Sequence, residues 1–386
     1  MDQLLPRYDE GGLAGVLPAV ATALGVRLDG QPGDDSGAAA FPAFPDARRA
    51  VVVLVDGLGY ELVRRRGGHA PFLRSLLPAA HRITAGFPST TATSMGTFGT
   101  GLPPGAHGLL GYEVLVPGED RLVNELSWED GPDPLLWQPQ PTVFELAERD
   151  GLSVTRVGPA FFDGSGLTRA ALRGGRFAAA DDLAMRVDAT LTALRADRRS
   201  LVYLYWGELD KVGHVHGCQS WEWGDELEAI DAELARLVRS VPSDTAVFVT
   251  GDHGMVDAPH ALRIDLAHDD ELAHGVRHVG GEPRALQLYC EAGAVDDVAA
   301  TWHARVGERA WLRTRAEAVT EGWFGPVSAV NLPRIGDLVV AMRDNFAIVD
   351  SRRARPQLLA LVGLHGSLTA DESAVPLFHV PARDNG

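Results

Sequence analysis

The chain reads as a doubly wound, mostly parallel α/β sheet flanked by helices, with a smaller α/β insertion. Three observations predict it. Short continuous apolar runs recur at residues 50–55, 152–157, 201–206 and 245–250, as strands buried on both faces require. Helical patterns alternate with these runs, the grammar of a parallel sheet with crossover helices. Asp and Gly follow the runs at 50–55 and 245–250 directly, where such a sheet carries its functional residues.

Taken in order, Leu13 to Val26 is an apolar N-terminal helix, interrupted near Pro18. Asp9 and Glu10 outweigh Arg7 just before it, which argues against a signal peptide. Residues 29–48 are rich in Gly, Pro and Asp and read as a loop. AVVVLV (50–55) is the first core strand and ends at Asp56-Gly57. Residues 111–126 form a hairpin around Pro117-Gly118. Helices follow at 142–149, 181–196 and 221–241, the last with Leu227, Ile230, Leu234, Leu237 and Val241 on one face. From 258 to 336 the rhythm breaks, with a strand at 284–290 and a helix at 294–306, before DLVVAM (337–342) resumes the strand pattern. The expected division is a core of 1–257 and 337–386, with 258–336 as a smaller cap over the site.

Composition excludes several classes. The chain has 386 residues and 35 basic against 52 acidic side chains, a formal net charge of -17. That surface repels polymeric nucleic acid and anionic membranes, but phosphate substrates remain open because divalent ions invert the local field. No apolar run reaches the roughly 18 residues of a membrane span. Cys218 and Cys290 cannot make a disulfide framework, which fits a reducing compartment, and the expected location is the cytoplasm. The sequence sets no oligomeric state.

Five short segments carry metal-capable residues. Asp56 ends the first strand, and Gly57 lets the backbone turn there. In TGDHGM, adjacent Asp252 and His253 follow a strand and offer one ion an oxygen and a nitrogen donor. Asp210 and His214 are four apart, so a helical turn puts both on one face, with His216 outside the site. His365 lies between Leu364 and Gly366 after an apolar run. PSTTATS supplies hydroxyls that start a helix, with Ser89, Thr90 or Thr91 near its N-cap, a place that favours phosphate. Each feature alone has a bland reading as a turn, a cap, a surface pair or a structural histidine. Five such coincidences together point instead to two zinc-like ions around a nucleophile.

These residues resemble the alkaline phosphatase superfamily, most closely its nucleotide pyrophosphatase/phosphodiesterase branch, over about 50–257 and 337–380. The D-x-x-G-H spacing (Asp210, Gly213, His214) and the DHG segment are the most specific matches. The resemblance implies a nucleophile nine residues before Thr100-Gly101, which is Thr91. It implies that Asp56, Thr91, Asp252 and His253 surround one divalent metal, and Asp210, His214 and His365 a second, both most simply Zn2+. Tyr205 matches an aromatic position of the substrate pocket. Ala92 replaces the branch's Phe, and Tyr112 stands where the branch has an Asn that contacts phosphate, so Tyr112 is expected to bind substrate. Trp206, Trp221 and Trp223 line the pocket or pack in the core, the latter being favoured.

The implied activity is hydrolysis of phosphodiester or pyrophosphate bonds in a small-molecule substrate through a phosphothreonine intermediate on Thr91. The nearest alternative on the same fold is a phosphomonoesterase or phosphonate hydrolase. A non-catalytic phosphate- or metal-binding regulator is the alternative from another class.

Overall fold

The computed structural model describes residues 2–8, 11–28 and 43–383. The expected loop at 29–48 lies for the most part, residues 29–42, outside the described residues. Among those described, the main sheet is built from β1 (Arg49–Val55), β2 (His81–Thr84), β3 (Ser153–Gly158), β4 (Arg176–Ala179), β5 (Ser200–Trp206), β6 (Thr245–Gly251) and β7 (Ala374–Val380). Their spatial order is β2-β7-β6-β1-β5-β3-β4. Strand β1 is central and pairs in parallel with β5 and β6. Only β7 is reversed, running antiparallel to both of its neighbours, β2 and β6.

The apolar run of β1 is continuous because it serves two cores. Val52 and Leu54 pack on one side with Val16, Leu17, Met95 and Phe98. Val51, Val53 and Val55 pack on the other with Leu227, Ile230 and Leu234. Burial on both faces removes the alternation that a half-exposed strand shows. Ser220 starts the long helix Trp221–Ser240 by accepting the Trp223 N–H at 3.2 Å. The N-terminal helix is a 3-10 turn, Leu13–Gly15, running into Val16–Ala23. Pro18 does not interrupt it, contrary to expectation. It falls in the first turn, where the missing N–H would have no partner within the helix.

A second sheet of four antiparallel strands holds Val276–Glu282, Ala285–Cys290, Leu338–Met342 and Ala310–Thr314 in that spatial order. Helix Val295–Val306 covers it, burying Trp302 and Val298 against Leu288 and Val340. Leu338–Met342 was expected to return to the main sheet; instead it lies inside the second one. A fully buried Leu-Val-Val run reads alike in either sheet, so the sequence boundary at 336 falls too early. The following strand Ala347–Val349 also pairs locally, in parallel with Arg263–Asp265. The expected hairpin is present, Glu113–Leu115 against Leu122–Asn124. No helix among the described residues is long and apolar enough to cross a membrane.

Candidate metal and phosphoryl site

The parallel strands deliver carboxylates to the carboxyl end of the main sheet. Asp56 follows β1 directly, its N–H bonded to Trp206 O at 2.8 Å. Gly57 then turns with φ +75°, and a Cβ there would stand 3.1 Å from the Asp210 Cα, so the close approach requires glycine. The Gly57 N–H and the His253 N–H both donate to Asp252 Oδ1, each at 3.0 Å. Ser94 Oγ fixes the same loop by donating to Asp252 O at 2.8 Å. Asp210 and His214 lie on the helix Glu208–His216, one turn apart as the spacing predicts. His365 is held by a loop bridged to Ser89. Thr91 is the first residue of the helix Thr91–Thr100, with Thr90 as its N-cap.

Six of the seven residues form two adjacent groups, and Thr91 stands beside one of them. Asp56, Asp252 and His253 offer atoms within 4.8 Å of one another, and so do Asp210, His214 and His365. The His253 and His365 rings stack with centroids 3.7 Å apart, which joins the groups. Thr91 Oγ1 lies 3.2 Å from His253 Nε2.

All three imidazoles are oriented alike. Nδ1 of His214 faces Gly363 O at 2.7 Å, that of His253 faces Gly254 O at 2.9 Å, and that of His365 faces Ser89 O at 3.0 Å. A carbonyl oxygen only accepts, so each Nδ1 carries a proton and Nε2 is the ring atom turned toward the carboxylates. Those Nε2 atoms point at carboxylates: His214 at Asp210 Oδ2, 3.2 Å; His253 at Asp56 Oδ1, 3.4 Å, and Asp252 Oδ2, 3.5 Å. Ring nitrogens and carboxylate oxygens thus converge in both groups. Asp56 Oδ1, Asp210 Oδ1 and Asp252 Oδ2 are moreover buried without any hydrogen-bond partner. This donor set fits divalent metal at both groups.

The electrostatics of the site carry the same strain. Burial, then the charges of Asp252 and Asp210, push Asp56 well above the ordinary carboxylate range. Burial likewise raises Asp252, against the pull of His253. Burial alone would lower His214, but the Asp210 charge and hydrogen bond outweigh it and raise the imidazole to about 9. In return, Asp210 is lowered despite its burial, by His214 first. Burial drives His365 well below its usual value.

The site opens into a cavity of about 1370 Å³ lined by Thr91, Tyr112, Tyr205, Lys211 and Glu282 among others. Tyr205 is in the pocket but donates its hydroxyl to Asp56 Oδ2, and Phe162 packs edge-on against it with ring centroids 5.3 Å apart. Tyr112 is half-buried on the wall, its pKa raised first by burial. His216 pairs with Glu222 outside the site. Trp206 and Trp223 pack in the core, Trp221 is exposed, and none of the three lines the cavity.

Sequence reasoning missed Glu282, Phe161 and Phe162. Glu282 Oε2 lies 3.5 Å from His365 Nδ1, its Oε1 has no partner, and burial pushes its pKa well above the usual range. It ends a strand at the Gly280-Gly281-Glu282-Pro283 turn, and that turn motif is the signal that could have flagged it.

The chain matches the type I phosphodiesterase / nucleotide pyrophosphatase family over residues 50–368. No curated protein sequence matches it. Among solved structures it is similar to murine ectonucleotide pyrophosphatase / phosphodiesterase 5, at 18% identity and TM-score 0.69, over 85% of this chain and 87% of that one. An inactive threonine-to-alanine form of that murine protein, in complex with AMP, aligns at 18% identity and TM-score 0.68, over 86% and 87% of the two chains. Phosphonoacetate hydrolase from Sinorhizobium meliloti 1021, in complex with phosphonoacetate, aligns at 21% identity and TM-score 0.69, over 94% and 95%. The family match runs through both metal-capable groups and Thr91, and the chain therefore belongs to the type I phosphodiesterase / nucleotide pyrophosphatase family, hydrolases of phosphoester bonds within the alkaline phosphatase superfamily.

Proposed function

We propose that the protein is a metal-dependent hydrolase of small-molecule phosphodiesters or pyrophosphates, with Thr91 as nucleophile. The observation that carries this reading is the pair of adjacent triads, Asp56–Asp252–His253 and Asp210–His214–His365, with three buried carboxylate oxygens left without a partner and the Thr91 hydroxyl beside His253. Asp56, Thr91, Asp252 and His253 would hold one divalent ion, and Asp210, His214 and His365 the other. Mixed nitrogen and oxygen donors suit Zn2+. When bound, the ions would lower the pKa of the Thr91 hydroxyl and neutralise charge on the phosphoryl and leaving oxygens.

The chain's own residues then act as follows. Thr91 Oγ forms a bond to phosphorus while the ester or pyrophosphate oxygen opposite it leaves with its electron pair. Backbone N–H groups at the start of the Thr91–Thr100 helix receive phosphoryl oxygens. Water next attacks the phosphothreonine and releases Thr91, so two displacements retain configuration at phosphorus. Tyr112, on the cavity wall where the branch has an Asn, would offer its hydroxyl to substrate, and Tyr205 orients Asp56 while presenting its ring to the pocket. The smaller unit, carrying Glu282, shapes substrate choice. Buried, free Cys218 and Cys290 support a reducing, cytoplasmic setting.

AMP in the murine relative supports nucleotide-like diesters, whereas phosphonoacetate in the bacterial one favours a second reading, phosphonate hydrolysis. On zinc-loaded protein, kcat/KM for bis-p-nitrophenyl phosphate is expected to exceed that for p-nitrophenyl phosphate; a ratio well below one reverses the assignment to monoesters. Thr91→Ala should lower turnover by roughly 10³-fold or more while zinc content, read by elemental analysis, stays largely intact. Near-normal turnover in that variant would sink the nucleophile assignment.

A further inference from the structure

Arg156 is a buried cation that the phosphoryl site does not use. It lies on β3, in register with Tyr203 of β5, and is only 8% exposed. Its Nε and Nη1 are buried and donate to nothing. The other buried arginines are better satisfied, Arg334 leaving only Nε without a partner. Arg186 reaches Glu208, Arg284 reaches Glu372, and Arg334 donates to Gly108 O and Trp137 O. The Arg156 guanidinium sits 5.6 Å from the centre of the Phe177 ring. Burial pulls its pKa down from the ordinary arginine value, and the charge of Asp163 opposes this without a hydrogen bond. A chain that leaves two guanidinium donors unused in a desolvated place has left them for something else.

Arg156 lines the same cavity that reaches Thr91. Around Arg156 its wall is Met95, Leu172, Phe177 and Tyr203. Met95 stands one helical turn beyond Thr91 and receives the Tyr203 hydroxyl at 3.6 Å, so the recess leads away from the nucleophile along apolar and aromatic surface. An apolar passage ending in a planar cation with free N–H groups selects an oxyanion on a long arm.

The geometry points to a second anion subsite: Arg156 receives a carboxylate or phosphate at the far end of a substrate whose scissile phosphorus lies at Thr91. This rests on the phosphoryl-transfer reading of Thr91. Register sets the length of the arm. Arg156 is level with Tyr203 and, through it, with Val52, four residues before Asp56. The two backbone positions are thus roughly 13 Å apart along the strands and roughly 10 Å apart across them.

The test is calorimetric binding to zinc-loaded wild type and Arg156→Met. The ligands are alkylphosphonates with four, six or eight methylenes, ending in methyl, carboxylate or a second phosphonate. Wild type should bind at least one anion-tailed ligand tenfold or more tighter than its methyl partner, and R156M should bind the pair equally. Tighter binding of the carboxylate or of the phosphonate tail identifies the anion. R156M should also melt no lower than wild type, because it removes an unpaired buried charge. No tail preference in wild type, a preference that survives in R156M, or a lowered melting temperature overturns the subsite. Hydrolysis of activated esters, assayed in parallel, separates the two readings. Absent hydrolysis with an intact Arg156-dependent preference sinks only the hydrolase assignment, while hydrolysis without tail preference sinks only the subsite.

Discussion

Two groups of buried charge meet at the loop from His365 to Thr369, and they are built on opposite rules. In one, Arg284 and Glu372 are fully buried and every bond is closed. Arg284 donates Nε and Nη2 to the two Glu372 oxygens at 2.9 and 2.6 Å and Nη1 to Phe346 O. Glu372 also accepts from the Ser367 N–H at 3.0 Å and from the Thr369 hydroxyl. In the other, Asp56, Asp210 and Asp252 each keep an oxygen with no partner. Burial is similar in the two groups, so burial does not explain the difference. A buried charge that serves the fold is paired, because an unpaired one is costly. Charges left open mark a place where the protein relies on something it does not itself contain.

The sharpest way to break this contrast is Glu372→Ala. It strands Arg284 and should cost about 3–5 kcal/mol in urea unfolding. A loss under about 1 kcal/mol would mean that the closed group is no more structural than the open one.

A titrating member of the closed kind gives the next largest effect. His107 is fully buried, accepts the Leu109 N–H at Nδ1 and faces Thr97 Oγ1 through Nε2. Burial first, then the charge of Arg334, lowers its pKa from 6.5 to about 3. The unfolded chain therefore takes up the proton first. The contribution of His107 is fully present above pH 6.5 and is lost as pH falls, by roughly 3 kcal/mol near pH 4. His107→Gln should flatten that part of the stability profile; an unchanged slope would remove His107 from the closed class.

Asp252→Asn should have the smallest effect on the metal-free fold, a change within about 1 kcal/mol and upward in sign, since it relieves crowded carboxylates. The same variant should lose the rise in melting temperature that zinc gives wild type, and hydrolysis should fall by roughly 100-fold or more. A large drop in metal-free stability would show that Asp252 is structural after all.

Much of this arrangement is legible in the sequence for one reason. Parallel strands buried on both faces are unbroken apolar runs, and their ends mark where Asp56 and Asp252 stand. Helical spacing likewise places Asp210 and His214 together. What escaped was geometry that leaves no periodic trace. Strand β7 contains Pro376, which reads against a strand; it is tolerated because pairing with β6 begins only at Leu377. Leu338–Met342 carries no mark of which sheet it joins. Glu282 and Arg156 look like ordinary surface charges until the fold buries them. For Arg156 the trace was the charged residue inside the run SVTRV.

The closed Arg284–Glu372 pair bears on how such an enzyme can diverge. Arg284 opens the strand Ala285–Cys290 of the small sheet, while Glu372 backs the His365 loop and accepts the Gly254 N–H through its carbonyl at 2.7 Å. A transplanted small sheet, brought in by recombination or by an engineer building a chimera, would have to arrive with an arginine at that junction. Without it, both the His253 and His365 loops would lose a common strut. Exchange of parts is thus possible here only along a seam that already carries its own rivet.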